Sequence, residues 1–302
     1  MNKARFAPVA AICAAVLIIP VAAFSIFSLL QEEPNPAQQD RYGTVKRVRY
    51  GFTVENLTSH AVRNATLWVY APMKRTATQR CRKIRASREF RHVQDNHGHQ
   101  ILGFRFPVVP PYGSRQVTVR AVLGMADQPR SLPQQDMAAW LAPGPFVQSE
   151  ADAMKSRALQ LRADTEWKTL RNILSWVNSE VGYTGYSRRE RGALYALQYG
   201  KGDCTEFADL YAALARACEI PTRVVAGFVR SGSGTLRPSM YHNWAESHYK
   251  SHWRLADPQK KVMDNRSSRY IAMALLGPEN ESPIPRGHFY TVEGKGLEAS
   301  MK

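Results

Sequence analysis

Hydrophobic and polar positions alternate with a period of two between residues 42 and 123, which is the pattern of half-buried β-strands. In "VRYGFTVEN" the alternating apolar residues are Tyr50, Phe52 and Val54, and "ATLWVYAP" repeats the pattern until a proline. "ILGFRFPVVPPYGSRQVTVRAVLG" contains two more strands around a Pro-Pro-Tyr-Gly turn. Several short strands separated by turns predict a β-sandwich at residues 42–126.

Helical spacing replaces this alternation beyond residue 146. The stretch "SEADAMKSRALQLRADTEWKTLRNILSWVNSEVGY" has apolar residues three and four positions apart, which predicts a short helix and then a longer one. Extended segments follow, among them "TRVVAGFV", "HNWAESHY" and "HWRLAD". Helices followed by strands predict an α+β domain at residues 147–302, and the stretch 127–146 contains the predicted boundary.

The N-terminal segment has a different character, because residues 6–30 contain no charge. A run of 25 residues is long enough to span a hydrocarbon layer of about 30 Å. Basic residues precede it and acidic residues follow it, which places the body outside the cytoplasm. We expect a transmembrane anchor at residues 1–30, a linker at 31–41 and a periplasmic body; a cleaved signal peptide ending near residues 21–23 is the alternative.

The net charge is +16, from 41 Lys and Arg against 25 Asp and Glu. Eight basic residues and one acid lie between Lys74 and Arg91. No zinc finger, RNA-binding signature or basic zipper accompanies this basic cluster, so nucleic acid is not an expected partner. The cluster is interpreted either as a solvated connection between strands or as a contact for an anionic envelope surface.

Cys204 is the cysteine with a candidate chemical role among the four in the chain. Asp203 and Glu206 form a predicted capping box, so the sulfur lies in the first turn of a helix. The unpaired N–H groups and the positive end of the helix dipole predict a lowered thiol pKa and a candidate oxyanion hole. Pairing of Cys81 with Cys218 stays open, since nothing in the sequence places them close together.

The segment "HNWAESHYKSHWRLADP" supplies the partners that a nucleophilic thiol needs. His242 is on a predicted strand, and Asp257 ends the next extended stretch. Adjacent strands can place a carboxylate beside an imidazole, and a cysteine at a facing helix start then completes a Cys-His-Asp set. In this hypothesis Cys204 attacks, His242 transfers the proton and Asp257 orients the ring.

The segments "GDCTEFADLYAALARACEIPTRVVAGF", "HNWAE" and "WRLADP" together resemble the transglutaminase-like superfamily, which includes papain-related cysteine enzymes of bacterial envelopes. A G-x-C at a helix start, I-P-x-R-x-x-x-G, H-x-W-x-E and W-x-x-x-D-P occur here in the family's order. The resemblance covers roughly residues 147–260, and the sandwich is similar to a domain that precedes this core in some bacterial members. Glu219 departs from the pattern, because a glycine is usual before Ile-Pro.

The resemblance implies an enzyme that forms a thioester at Cys204 from an amide and passes the acyl group to water or to an amine. It implies protein, peptide or peptidoglycan-type amide substrates, with no cofactor and no metal. Tyr183 and Tyr186 are candidate phenol donors for the oxyanion hole, with buried packing as the favoured alternative for each, whereas Trp244 and Glu246 are interpreted as structural. The alternative function is a basic, membrane-anchored binding module that uses the same fold without catalysis.

Overall fold

The computed structural model describes residues 42–132, 136–187, 189–277 and 282–302. The expected anchor at 1–30 and the linker at 31–41 lie outside these ranges. None of the helices within them has the length and apolar character that crossing a membrane requires. The unit Arg41–Lys302 is compact.

Strands and helices follow one another in the order that the sequence pattern predicts. The strands are β1 (Thr44–Asn56), β2 (Val62–Ala71), β3 (Gln79–Ala86), β4 (Arg91–Gln94), β5 (Gln100–Val109), β6 (Ser114–Met125), β7 (Gly182–Tyr183), β8 (Lys201–Gly202), β9 (Thr222–Val229), β10 (Gly234–Thr235), β11 (Tyr241–Tyr249), β12 (His252–Asp257), β13 (Val262–Met263), β14 (Tyr270–Leu275), β15 (Tyr290–Glu293) and β16 (Leu297–Met301). The helices are α1 (Asp152–Leu161), α2 (Glu166–Glu180), α3 (Gly192–Tyr199) and α4 (Cys204–Ala217). The chain is therefore α+β, and the helical spacing of residues 149–183 corresponds to α1 and α2.

Two sheets form the N-terminal sandwich. In one sheet the strand order is β10-β1-β6-β3, with β16 also paired to β1, and in the other it is β15-β2-β5-β4. The inward residues of β1 include Tyr50, Phe52 and Val54, which share one core with Leu67 and Phe104 of the facing sheet. The alternation in the sequence therefore marks the side chains that the two sheets bury between them.

The end of the chain completes both sheets of the sandwich. β15 pairs antiparallel with β2, and β16 pairs antiparallel with β1. Phe289, just before β15, packs against Tyr50, Phe52 and Phe228 at ring-centroid distances of 5.7, 5.8 and 5.0 Å. The division into domains at 42–126 and 147–302 stays a prediction. The C-terminal strands β15 and β16, from within 147–302, are part of the same sheets as β2 and β1.

The second part of the chain surrounds helix α4. An antiparallel sheet in the order β13-β12-β11-β9-β14 packs against one side of α4, and the other helices contribute to the same apolar core. Every residue from Thr205 to Arg216 is buried, which makes α4 a central helix. Such a helix holds its first residue in a fixed position relative to the start of β11.

The basic cluster between Lys74 and Arg91 is not only a connection between strands, because part of it forms a strand itself. Part of it forms β3, an outer strand of its sheet in which Cys81 is buried while Arg80, Arg82 and Lys83 are exposed. The sequence pattern does not reveal this strand, because a register shift between Cys81 and Lys83 interrupts the alternation with a period of two. Charged side chains on an outer strand oppose pairing with another sheet.

Cys81 and Cys218 do not form the disulfide that the sequence left open. Both are buried free thiols. Cys204 is also a free thiol, but it is partly exposed. Cys81 belongs to the sandwich core, whereas Cys218 belongs to the core around α4. The two sulfurs are therefore packed as small apolar groups.

Replacing Phe289 by alanine tests whether the chain's end stabilises the sandwich. Phe289 is 8% exposed and fills a site between aromatic rings, so Phe289→Ala should lower the free energy of unfolding by about 3–5 kcal/mol. Leu159→Ala, at a helical residue that is 71% exposed, should change it by less than about 0.5 kcal/mol. Urea denaturation measures both, and equal stability of the two variants would contradict the packing role of Phe289.

Candidate active site

The predicted capping box forms at the start of α4. Asp203 Oδ1 accepts a hydrogen bond from the N–H of Thr205 at 2.7 Å, and Glu206 Oε2 accepts one from the N–H of Asp203 at 2.9 Å. A side chain at Gly202 would lie 2.5 Å from Glu206 Cβ, so glycine is required there for the close approach. Both carboxylates are buried, and together they fix the backbone that carries Cys204.

Burial raises the pKa of the Cys204 thiol to about 12, and the negative charge of Asp203 adds to the increase. The N–H groups of Asn243 and of Cys204 itself act in the opposite direction. The direction is opposite to the lowered pKa that the helix start predicted, because the helix dipole is outweighed by desolvation. Cys204 is therefore a neutral thiol at neutral pH.

His242 and Asp257 lie side by side, as the strand pattern predicted. His242 Nε2 donates to Asp257 Oδ2 over 2.7 Å, and both side chains are buried. Asp257 also accepts from the Tyr270 hydroxyl at 2.8 Å and from the N–H of Lys260 at 3.0 Å. A carboxylate only accepts hydrogen bonds, so the proton is on Nε2 and the lone pair of the ring is on Nδ1.

Cys204 lies near this pair without a hydrogen bond to His242 in the described structure. The N–H of Asn243, the residue after His242, favours the thiolate form, and the charge of Asp257 opposes it. Asn243 Nδ2 also donates to Thr205 Oγ1 at 2.9 Å, which joins the start of α4 to the start of β11. The thiol and the His-Asp pair are thus held within electrostatic reach of each other.

An open cleft of about 680 Å³ exposes the Cys204 region. Its walls combine the helix start with the beginning of β11 and with the two C-terminal strands of the sandwich. Tyr183 and Tyr186 also line it, but their side chains are 58% and 69% exposed. The lining has aromatic and small polar groups, with Asp203 as its acidic member.

Residues 154–258 match the sequence profile described as the transglutaminase-like superfamily. These residues belong to the transglutaminase-like superfamily. Members of this superfamily typically have cysteine-dependent acyl-transfer or protease activity. No curated protein sequence matches the chain significantly.

A solved structure shares the fold of this chain. A protein from Cytophaga hutchinsonii, provisionally named a cysteine protease, is 15% identical, with 86% of this chain and 92% of that chain covered and a TM-score of 0.58. The periplasmic domain of TgpA from Pseudomonas aeruginosa, bound to ethylmercury, is 17% identical over 73% of this chain and 92% of its own, with a TM-score of 0.38. At these identities the first similarity establishes a shared fold, and the second score is too low to support an argument.

Two further residues of the transglutaminase-like motifs have structural roles in the described chain. Trp244 is buried, and Glu246 accepts from Arg223 in a buried ion pair of 2.6 Å. Glu219, where the family usually has glycine, adopts a φ of +66°. A glycine would adopt this left-handed conformation with less strain than Glu219 does.

Sequence reasoning missed two tyrosines next to the predicted residues. Tyr270 reaches Asp257 from β14, a strand 13 residues further along the chain, and no local pattern marks that contact. Tyr241 directly precedes His242 and lines the cleft with Cys204. Its place at the start of the His242 strand was the available signal. Within the described ranges, no cluster of three or more His, Cys, Asp or Glu side chains could hold a metal ion.

The alkylation rate of Cys204 should follow its raised pKa. With a pKa of about 12, the rate with iodoacetamide should rise about tenfold per pH unit up to about pH 11, because the thiolate is the nucleophile. Asp203→Asn keeps a good helix cap but removes a negative charge, so it should lower the pKa and speed alkylation at each pH. Peptide mapping by mass spectrometry isolates the signal of Cys204.

Asp152→Asn, at an exposed acid in the first turn of α1, is the matched control and should leave the Cys204 profile unchanged. A wild-type rate that reaches a plateau below pH 8 would contradict the raised pKa and indicate a thiolate paired with a charged imidazole.

Proposed function

We propose that this protein is a cysteine-dependent acyl-transfer enzyme of the cell envelope, which breaks amide bonds through a thioester at Cys204. The observation that carries the proposal is the buried 2.7 Å hydrogen bond between His242 and Asp257, beside a capped helix start whose cysteine lines an open cleft. A nucleophile, a base and a group that orients the base are the parts that covalent acyl transfer requires.

The proposed acylation step uses these residues in sequence. Cys204 Sγ attacks the amide carbonyl carbon while its proton moves to Nδ1 of His242, the nitrogen that Asp257 leaves unprotonated. The carbon–nitrogen bond then breaks, and His242 gives the proton to the leaving amine. Water or a second amine resolves the thioester by the reverse path and restores the thiol.

A raised thiol pKa is compatible with this order of events. A neutral thiol has to lose its proton during attack, which makes a correctly oriented His242 essential. Once formed, a thiolate of high pKa is also intrinsically more nucleophilic than one of low pKa. The proposal therefore does not depend on a thiolate that exists before the substrate binds.

Hydrolysis is the favoured fate of the thioester. Water is present at about 55 M, so an amine prevails only where the site holds it in place or excludes water. The protein's charge of +16 repels cationic amines, over a Debye length of about 8 Å at physiological salt. The proposed substrates are protein, peptide or peptidoglycan-type amides, and no cofactor takes part in the proposed steps.

A non-catalytic binding module is the second candidate function. The observation that favours it is the missing hydrogen bond between the Cys204 thiol and His242 in the described structure. Catalytic hydrogen bonds often tighten only when a substrate binds, so this observation weighs less than the His242–Asp257 pair.

Incubation with a glutamine-containing peptide and a labelled primary amine tests the activity and the acceptor together. We expect Cys204-dependent products, with released acid exceeding amine adduct when mass spectrometry measures both. Asp257→Asn should lower kcat about 10²- to 10⁴-fold, since the ring loses its orienting acceptor. Activity that survives Cys204→Ser would refute the proposal, and predominant amine adduct at millimolar amine would refute the preference for water.

We also propose that residues 6–30 anchor the protein in the cell membrane and that its body is periplasmic. The uncharged run and its flanking charges support this, and the basic cluster between Lys74 and Arg91 is proposed to contact anionic envelope surfaces.

The intact protein should remain with membranes after alkaline washing, and external protease should degrade its body in spheroplasts. Recovery of a soluble protein that begins near Phe24 would show a cleaved signal peptide instead. Protection of the body from external protease would contradict the proposed orientation.

A further inference from the structure

Tyr241, the first residue of β11, carries a buried hydroxyl that has no hydrogen-bond partner among the described residues. Buried polar atoms in native proteins are almost always paired, so an orphaned hydroxyl calls for a specific explanation. Phenylalanine would fill the same space without an unpaired donor. The presence of a tyrosine here is explained if its hydroxyl forms a hydrogen bond with a bound ligand.

Aromatic packing fixes the position of this hydroxyl. The Tyr241 ring contacts Phe228 of β9 at a centroid distance of 5.6 Å and an interplanar angle of 77°, and it contacts Phe289 at 6.3 Å. The backbone of Tyr241 is paired with that of Phe228 in the sheet. Strand pairing therefore holds the backbone in place, and the ring contacts hold the side chain. A donor held in place before the reaction costs no reorganisation when charge develops.

The Tyr241 side chain reaches the cleft that contains the candidate nucleophile. Tyr241 and Cys204 both line this cleft. Burial raises the pKa of Tyr241, and the charges of Cys204 and then of Glu190 raise it further. The hydroxyl is consequently within electrostatic reach of the sulfur, and it stays protonated as a hydrogen-bond donor at neutral pH.

Other donors of the cleft are less suitable for stabilising an anion. Tyr183 and Tyr186 are more than half exposed, so their hydroxyls are hydrated and water screens their interactions. At the start of α4 the capping box occupies the N–H of Thr205, and the N–H of Phe207 donates to the Asp203 carbonyl. The N–H of Cys204 and the buried hydroxyl of Tyr241 are two candidate donors of this region.

We propose that the Tyr241 hydroxyl donates a hydrogen bond to the acyl carbonyl oxygen as Cys204 attacks, which makes Tyr241 a further catalytic residue of this site. The inference rests on the proposed function. As the bond between Sγ and the carbonyl carbon forms, the π electron pair moves to oxygen, and the hydrogen bond from Tyr241 stabilises that oxyanion. The pair returns when the leaving group departs, and Tyr241 keeps its proton throughout.

Two electrophilic reagents that react with the Cys204 sulfur distinguish oxyanion stabilisation by Tyr241 from other effects of this residue. p-Nitrophenyl acetate acylates a thiol through a tetrahedral oxyanion, whereas iodoacetamide alkylates it by displacement of iodide without one. In Tyr241→Phe the rate constant for Cys204-dependent release of p-nitrophenolate should fall about 10²- to 10³-fold. The rate constant for iodoacetamide should stay within about twofold of wild type at every pH, because that reaction has no oxyanion.

The melting temperature identifies a folding artefact. Tyr241→Phe keeps the packed ring and removes an unpaired buried hydroxyl, so its melting temperature should be equal to or above that of wild type. Tyr199→Phe, at an exposed helical tyrosine, is the matched control and should leave both rate constants unchanged.

Each other outcome has a defined meaning. Equal p-nitrophenolate rates in wild type and Tyr241→Phe would overturn this inference and leave the proposed function intact. Parallel losses in both reactions would overturn it in favour of a hydrogen bond to the thiolate. Lack of any Cys204-dependent p-nitrophenolate release from the wild type, with alkylation still measurable, would overturn the proposed function and this inference together.

Discussion

Two buried carboxylates at the start of α4 hold the candidate site together. Asp203 binds the N–H of Thr205 through one oxygen and the N–H of Ser187 through the other, at 2.7 and 3.0 Å. Glu206 binds the N–H of Asp203 and receives two hydrogen bonds from Arg191, one from its N–H and one from its guanidinium. The two carboxylates therefore cap the helix and fix the position of Cys204. They also bind the backbone of Ser187 and Arg191, which precede α3. Removing one would leave buried donors unpaired, which is more costly than losing a surface ion pair.

One turn further along α4, a third acid extends this arrangement to the sandwich. Asp209 accepts from Arg286 at 2.7 Å, and Arg286 also binds Glu190 at 2.8 Å. Arg286 lies three residues before Phe289, whose ring enters the aromatic core shared with β1 and β9. Acids spaced three apart on a buried helix thus fix separate segments of chain around one cleft. This spacing explains how residues far apart in sequence, including the C-terminal strands, come to line the same site as Cys204.

Local patterns in the sequence predict those features that depend on neighbouring residues. The capping box at Asp203, the sandwich strands and the placement of His242 beside Asp257 all follow from spacing and strand alternation. The contact of Tyr270 with Asp257 and the pairing of β15 and β16 with β2 and β1 depend on contacts between distant segments, which no local period encodes. The pKa of Cys204 was predicted in the wrong direction for a related reason. The helix dipole can be inferred from sequence, whereas desolvation becomes known only when the surrounding chain is placed.

The partial burial of Cys204 determines how the proposed mechanism has to work. A desolvated thiol next to Asp203 keeps its proton, so in the proposed mechanism the reactive anion forms only while the proton passes to His242. The low polarity that disfavours the thiolate also strengthens every hydrogen bond to an oxyanion, because water competes with those bonds less. A buried, preoriented donor such as Tyr241 is then worth more than an exposed one of the same chemistry. In the proposed mechanism, the cost of partly burying the nucleophile and the strengthening of hydrogen bonds to the oxyanion therefore have the same physical origin, and such a site favours the transition state over the resting thiolate.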